Sequence, residues 1–142
     1  MNRLVYISSS VEKPNQYAIE DILSQSRNNN KRDDVTGILL FHDGNFFQVL
    51  EGPEDKVGAC FGRIEKDQRH RGCILLLSET ITERLFADWS MAYVPFDRMS
   101  AEKQEGFLNL LEFRRTGKMD AMMRDDEIEV FLNAFLLNFR DL

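Results

Sequence analysis

Alternation of apolar and polar positions, together with clusters of β-branched and aromatic residues, predicts five β-strands in the first two thirds of the chain. Between the second and third strands stands Asp43-Gly44, a dipeptide typical of a tight hairpin. The alternation places Tyr6 of the first strand and Gln48 of the third among apolar side chains. The predicted strands are residues 3–9, 35–41, 45–51, 73–81 and 89–96.

Apolar residues at helical spacing predict two helices in the same region. The first begins after Pro14 and ends in the RNNNK run at residues 27–31, and the second extends from Pro53 to about Asp67. The resulting order βαββαββ predicts an α+β fold in which both helices lie on one face of the sheet. This arrangement would leave the opposite face of the sheet apolar.

Residues 97–142 are predicted to form a C-terminal helical extension of a domain that comprises residues 1–96. Ser100 is a suitable cap for the first of two helices, and Asp126 is suitable for the second. The second helix carries an apolar stripe formed by Ile128, Phe131, Leu132, Phe135 and Phe139. Such a stripe needs an apolar partner, so we expect the helical pair to pack on the sheet face opposite the first two helices.

The composition narrows the classes of function. A chain of 142 residues with 43% apolar residues can build one compact core. Its net charge of −6 argues against direct binding to nucleic acid or to an anionic membrane surface. No apolar run is long enough to span a bilayer, and the first residues lack the apolar centre of a signal peptide. We therefore expect a cytoplasmic protein.

Metal and disulfide sites are not predicted. Cys60 and Cys73 do not form a CxxC motif, and the two histidines, His42 and His70, are far apart in the sequence. Neither a zinc site nor a disulfide framework follows from this pattern.

The carboxamide of Gln48 interrupts an otherwise apolar strand. A buried amide without partners costs about 1–3 kcal/mol, so Gln48 needs hydrogen bonds. If the strands that carry Tyr6 and Gln48 pair, both side chains can face the two helices. Two interpretations remain open: the Tyr6 hydroxyl and a backbone carbonyl satisfy the amide, or the amide contacts a ligand between the helices.

Two polar clusters near the helix ends also have alternative interpretations. The triplet at residues 28–30 is three asparagines, which is typical of a fraying helix end but also suits an amide-like ligand edge. Arg63, Lys66 and Arg69 lie at the end of the second predicted helix, where a solvated helix end is the ordinary interpretation and phosphate binding is the alternative.

Trp89 and Met91 are two positions apart on the last predicted strand, so they would share a face, and core packing is the simplest interpretation. No GxGxxG, P-loop, HExxH or GxSxG motif is present, and no Cys or Ser lies beside a recognisable base. The residues alone predict a two-layer α+β domain with a buried polar group, and they do not identify a ligand.

Four segments, in this order, closely resemble the BLUF family of blue-light receptors that use flavin. They are RLVYISS, SRNNNKRDDVTGILLFHDGNFFQVLEG, IEKDQRH and FADWSM, and the resemblance extends from about Arg3 to Val94. It implies a ferredoxin-like sheet with FAD between the two helices, or FMN as the alternative cofactor. Gln68 departs from the family pattern, in which a proline is common at this position.

The resemblance implies roles for individual residues. Asn30 would hydrogen-bond the polar edge of the flavin with Asn29 beside it, and Gln48 would bridge Tyr6 and the flavin. The cations implied for the phosphates are Arg63, Lys66 and Arg69, and the residues implied in signal relay are Trp89 and Met91.

A photochemical mechanism is also implied. Excited flavin is a strong oxidant, so Tyr6 would supply an electron and then a proton, and the Gln48 amide would exchange hydrogen bonds by rotation or tautomerisation. The chain has no room for a cyclase or phosphodiesterase domain. We therefore expect a photoreceptor rather than an enzyme, one that forms a homo-oligomer and signals to an unidentified downstream protein.

Two other functions remain open. One is a flavin-dependent oxidoreductase, against which stands the lack of an obvious proton donor to a substrate. The other is a ferredoxin-like interaction module without a pigment. The colour of the purified protein would distinguish this last possibility, because a bound flavin is yellow.

Overall fold

The computed structural model describes residues 1–10, 16–116, 132–137 and 139. The chain divides into two compact units, residues 1–94 and residues 95–142, and each is described by itself. Within the described part of the chain, no helix is both long and apolar enough to cross a membrane.

The first unit is an α+β domain built on one five-stranded sheet. The spatial order of its strands is β4-β1-β3-β2-β5, and β1 pairs antiparallel with both β3 and β4, as β2 does with β3. The predicted order βαββαββ is confirmed. The elements are β1 (Asn2–Ser10), α1 (Gln16–Asp33), β2 (Thr36–His42), β3 (Asn45–Gly52), α2 (Glu54–Lys66), β4 (His70–Thr80) and β5 (Ala92–Pro95).

The hairpin between β2 and β3 turns at the predicted dipeptide. Asp43 and Gly44 both have positive φ angles, 50° and 79°, as a type I′ turn requires. The turn sets the register of the whole pair, in which Leu39 lies opposite Gln48. The hydrophobic pattern and the turn chemistry therefore specify the same register.

Helix α1 ends later than predicted. The asparagine triplet lies inside the helix, so its interpretation as a fraying end was wrong. The helix terminates instead at Asp33, followed by Asp34 with a left-handed φ of 58°. The Val35 amide then donates to the Asn30 carbonyl at 2.8 Å, which is the long hydrogen bond of a Schellman motif.

The last strand is shorter than predicted. It begins at Ala92, so Trp89 and Met91 lie in the segment before it, which we call the connecting segment (residues 81–91). A turn displaces them from the strand: the Trp89 amide donates to the Phe86 carbonyl at 3.2 Å, and the Trp89 carbonyl accepts from the Gly37 amide at 2.9 Å.

The core of this unit lies between the sheet and the two helices. Its apolar residues come from β1, β2 and β3 on one side and from α1 and α2 on the other, and Val35 and Met91 are contributed by the segments before β2 and β5. The fully or nearly buried members are Leu4, Tyr6, Ile22, Leu23, Val35, Leu39, Phe46, Leu50, Val57, Cys60 and Met91.

A buried charged cluster was not predicted from the sequence. Arg3 on β1 lies opposite Glu51 of β3 and opposite Glu79 of β4. Its guanidinium is 2.8 Å from the Glu51 carboxylate and 2.6 Å from the Glu79 carboxylate. These three side chains lie on the sheet face opposite Tyr6, because residues one or three apart on a strand point to opposite faces.

The second unit contains a short 3-10 turn at Phe96–Arg98, helix α3 (Ala101–Thr116) and helical residues 132–137. Ser100 caps α3 as predicted, since its hydroxyl accepts from the Lys103 amide at 3.3 Å. Asp126, Ile128 and Phe131 lie outside the described residues. The packing of this unit on the sheet stays a prediction.

Gly37 is a position where the fold admits no side chain. A Cβ there would collide with the carbonyl oxygen of Val49, which is backbone and cannot move aside. We expect Gly37→Ala to lower the free energy of unfolding by about 3 kcal/mol or more. Gly58→Ala is the control: its Cβ would have no neighbour within 4 Å, and it should raise stability by about 0.5–1 kcal/mol. Urea denaturation of both variants measures the difference, and equal midpoints would contradict it.

Phe135 tests the predicted apolar stripe. Its ring is buried, lies 5.0 Å from that of Phe139, and leaves no room for a Cβ on Gly106. Phe135→Asp should cost several kcal/mol, because it buries a charge and removes packing. Leu137→Asp, in the same helix but 51% exposed, should melt like the wild type. Wild-type melting of the Phe135 variant would mean that the stripe is exposed.

Candidate functional site

Tyr6 and Gln48 face each other across the pairing of β1 with β3. Both side chains are buried, and the Tyr6 hydroxyl donates a hydrogen bond to Gln48 Oε1. On its other side the same amide donates from Nε2 to the Met91 sulfur at 3.2 Å. The second partner of the amide is therefore a thioether rather than the backbone carbonyl considered from the sequence.

The environment of Tyr6 keeps its hydroxyl protonated. Burial raises the pKa of Tyr6 well above its ordinary value, and the nearby Cys73, Cys60 and Asp67 raise it further. The phenolate is therefore disfavoured. If the phenol lost an electron, its proton could move along the existing hydrogen bond to Gln48 Oε1. The arrangement suits a side chain that gives up an electron and then a proton.

A cavity of about 230 Å³ lies between α1 and α2. Three carboxamides, two guanidinium groups and one carboxylate contribute to its lining. The lining residues are Gln25, Ser26, Asn29, Asn30, Cys60, Arg63, Ile64, Asp67 and Arg69. The cavity thus brings together both asparagines and two of the three cations that the sequence analysis selected.

Asn30 is the buried amide of this cavity. Its Nδ2 donates to the Ser90 carbonyl at 3.1 Å, and its Oδ1 lies 3.6 Å from the Cys60 sulfur. Burial raises the pKa of Cys60, so the thiol stays protonated and can donate to Asn30. Asn29, by contrast, is half-buried at the cavity wall.

The guanidinium groups of the cavity are paired with carboxylates. Arg63 lies 3.2 Å from Asp33, and Arg69 lies 2.5 Å from Asp67. The hydrogen bonds that Arg69 donates to the Asp67 carboxylate raise the pKa of Arg69 above its ordinary value, so this side chain stays charged. Lys66 is exposed at the last position of α2 and does not line the cavity.

The structure separates Trp89 from Met91. Met91 is buried against Gln48, whereas Trp89 is half-buried and stacks on Phe86 with a ring separation of 5.7 Å. The backbone of Met91 is also fixed, because Arg27 Nε donates to its carbonyl at 3.1 Å. Arg27 was not selected from the sequence. Its partner is a backbone atom 64 residues away, and no local pattern indicates such a contact.

The described residues contain no group of three or more His, Cys, Asp or Glu side chains arranged to hold a metal ion.

Comparison with known proteins identifies relatives along the whole chain. The blue light- and temperature-regulated antirepressor BluF of Escherichia coli K12 is 31% identical over 137 residues, which are 96% of this chain and 33% of that protein. A photoactivated adenylate cyclase subunit alpha-like protein of Euglena gracilis is 36% identical over 93 residues, 64% of this chain and 9% of that protein. This chain therefore spans a third or less of these two relatives.

Solved structures of similar length also match. BlsA in its photo-activated state is 34% identical with a TM-score of 0.72, over 96% of this chain and 95% of that one. BlrB in its dark state is 30% identical with a TM-score of 0.69, over 94% of this chain and 95% of that one. The family BLUF, described as sensors of blue light using FAD, matches residues 1–92. The chain belongs to the BLUF family of flavin-based blue-light sensors.

Proposed function

We propose that the cavity between α1 and α2 holds FAD and that blue light is sensed through Tyr6, Gln48 and Met91. The observation that carries the proposal is the buried chain of hydrogen bonds from the Tyr6 hydroxyl through the Gln48 amide to the Met91 sulfur. It connects an oxidisable phenol to a segment outside the regular sheet.

The polar groups of the cavity suit a flavin. Carboxamides such as Asn29 and Asn30 offer both donors and acceptors, which match the imide edge of an isoalloxazine ring. Arg63 and Arg69 supply guanidinium groups for phosphate. The volume of about 230 Å³ is below the roughly 300–1,000 Å³ usual for ligand pockets, so the cavity encloses part of an FAD. Lys66 does not line this cavity, so it would contact only a phosphate that lies outside the cavity.

A bound flavin supplies absorption of blue light and, in its excited state, a one-electron oxidant. The protein supplies the electron and controls the proton. Tyr6 is buried and protonated, so oxidation of its ring makes the hydroxyl a strong acid next to Gln48 Oε1. The proton can move to that oxygen without entering solvent.

Gln48 converts this event into a change of contacts. Its amide has one acceptor end directed at Tyr6 and one donor end directed at Met91. Rotation by half a turn exchanges the two ends, and tautomerisation changes their donor and acceptor character. Either change alters the hydrogen bond to the Met91 sulfur, so the signal passes from the cavity to the connecting segment.

The output is proposed to be a contact with another protein. Some relatives are parts of adenylate cyclases and one is an antirepressor, so proteins that contain this domain differ in what they regulate. We propose that this chain signals by binding a downstream partner, that it works as a homo-oligomer in the cytoplasm, and that Trp89 and Met91 carry the signal.

Removal of the Tyr6 hydroxyl tests the electron donor. Tyr6→Phe should keep the flavin bound, because one hydroxyl is lost from a buried ring, and should abolish the persistent light-induced red shift of the flavin absorbance. Tyr93→Phe is the matched control, since it removes the same hydroxyl from a partly buried tyrosine of β5 that packs against the same core. A persistent shift in the Tyr6 variant, measured by absorbance after a blue-light pulse, would remove Tyr6 from this role.

Gln48→Leu tests the amide. The change keeps the approximate volume and deletes every hydrogen bond of the side chain, so flavin binding should weaken by only about 1 kcal/mol. The protein should purify yellow but form no long-lived red-shifted state. Gln25→Leu, at the cavity wall and bonded to Arg69, is the control that should keep the shift. A normal reversible shift in the Gln48 variant would show that this amide is only a hydrogen-bonded core residue with no role in the photochemistry.

A further inference from the structure

Glu51 is a fully buried carboxylate that the proposed photochemistry does not use. Arg3 donates to it from Nε at 2.9 Å and lies 2.8 Å away through Nη2. Taking a charged pair out of water is costly, and apolar side chains of similar volume often hold a sheet together equally well. The ion pair with Arg3 therefore does not by itself explain why a charged residue is buried at position 51.

The same carboxylate binds the connecting segment. The backbone amide of Phe86 donates to Glu51 Oε1 at 2.8 Å, and the amide of Leu85 donates to Oε2 at 3.1 Å. These amides lie outside the regular strands, where no ladder partner is available to them. A carboxylate can accept both, together with the guanidinium of Arg3, and an apolar side chain could accept none.

From this anchor a short chain of contacts leads to Met91. The Phe86 side chain is buried and stacks on Trp89, and the Phe86 carbonyl accepts from the Trp89 amide. Two residues further on, Met91 accepts from Gln48 Nε2. Gln48 and Glu51 are three residues apart on β3 and point to opposite faces. One strand therefore holds the connecting segment at two points, one on each of its faces.

We infer that Glu51 is a positioning residue: it fixes the connecting segment at Leu85 and Phe86 and thereby places the Met91 sulfur against the Gln48 amide. The Glu51 anchor is remote from the cavity, so it stays in place when the amide changes its hydrogen bonds. Movement is then confined to the residues between the anchor and β5. This inference rests on the proposed function for its role in signalling, but the positioning itself is independent of light.

Two substitutions separate positioning from general stability. Glu51→Gln replaces one acceptor oxygen with an amide that cannot accept, so one of the two backbone donors loses its partner, while Arg3 keeps Glu79 at 2.6 Å. Glu79→Gln is the matched control, because Glu79 pairs with the same guanidinium, and its observed bond is to Arg3 and not to the connecting segment.

Both variants, loaded with FAD and kept in the dark, are measured by amide hydrogen exchange and by the methyl resonance of Met91. In Glu51→Gln we expect exchange at Leu85 or Phe86 to be about tenfold faster, which corresponds to about 1.4 kcal/mol of lost hydrogen bonding, and the Met91 methyl to shift. In Glu79→Gln both should match the wild type. After a blue-light pulse, the lifetime of the shifted state should change in the first variant only.

Equal effects of the two substitutions on exchange and on Met91 would overturn the inference, because the charged cluster would then act only through Arg3. If Glu51→Gln does not fold, the wild-type protein still decides: unprotected amides at Leu85 and Phe86 would refute the anchor, and strong protection supports it. Absence of any light-induced shift in the wild type would contradict the proposed function. The measurements in the dark would then still show whether Glu51 positions Met91.

Discussion

The pairing of Tyr6 with Gln48 across β1 and β3 is the interaction on which the rest of the site depends. It places a phenol and an amide in the buried core, where polar atoms need hydrogen-bond partners. The amide meets this requirement with a hydroxyl on one side and the Met91 sulfur on the other. A thioether is a weak acceptor. The amide is therefore held firmly at Tyr6 and loosely at Met91, which suits the proposed exchange of its hydrogen bonds.

The guanidinium groups of the cavity form ion pairs within the protein. Arg63 is paired with Asp33, and Arg69 is paired with Asp67. A phosphate that binds either guanidinium would compete with a carboxylate, so part of the attraction is offset by the ion pair that is given up. Recognition of the proposed flavin would then depend on geometry and on the carboxamides more than on net positive charge, in keeping with a chain whose overall charge is negative.

Most of the fold can be predicted from the sequence, because the patterns that specify helices, strands and turns involve residues close together in the chain. The hairpin dipeptide consists of two adjacent residues, and the alternation that gives Tyr6 and Gln48 their faces is visible within each strand separately. The features that were not predicted involve contacts between residues that are far apart in the sequence. Arg3 and Glu51 are 48 residues apart, and only the strand register brings them together. The asparagine triplet has the composition of a helix end, yet the hydrogen bond between Asn30 and Val35 decides where the turn occurs.

That helix end also determines where the cavity amide points. The backbone carbonyl of Asn30 accepts the hydrogen bond that ends α1, and its side chain lies in the cavity. The number of residues between Asn30 and the C-terminal end of the helix therefore fixes the direction of the carboxamide. Residues added or removed near the start of α1 would leave it in place. Loss of one residue between Asn30 and Asp34 would rotate it by about 100°, because a helix has about 3.6 residues per turn. The length of α1 can therefore vary during evolution at its N-terminal end, whereas a change of length at its C-terminal end would disrupt the candidate site.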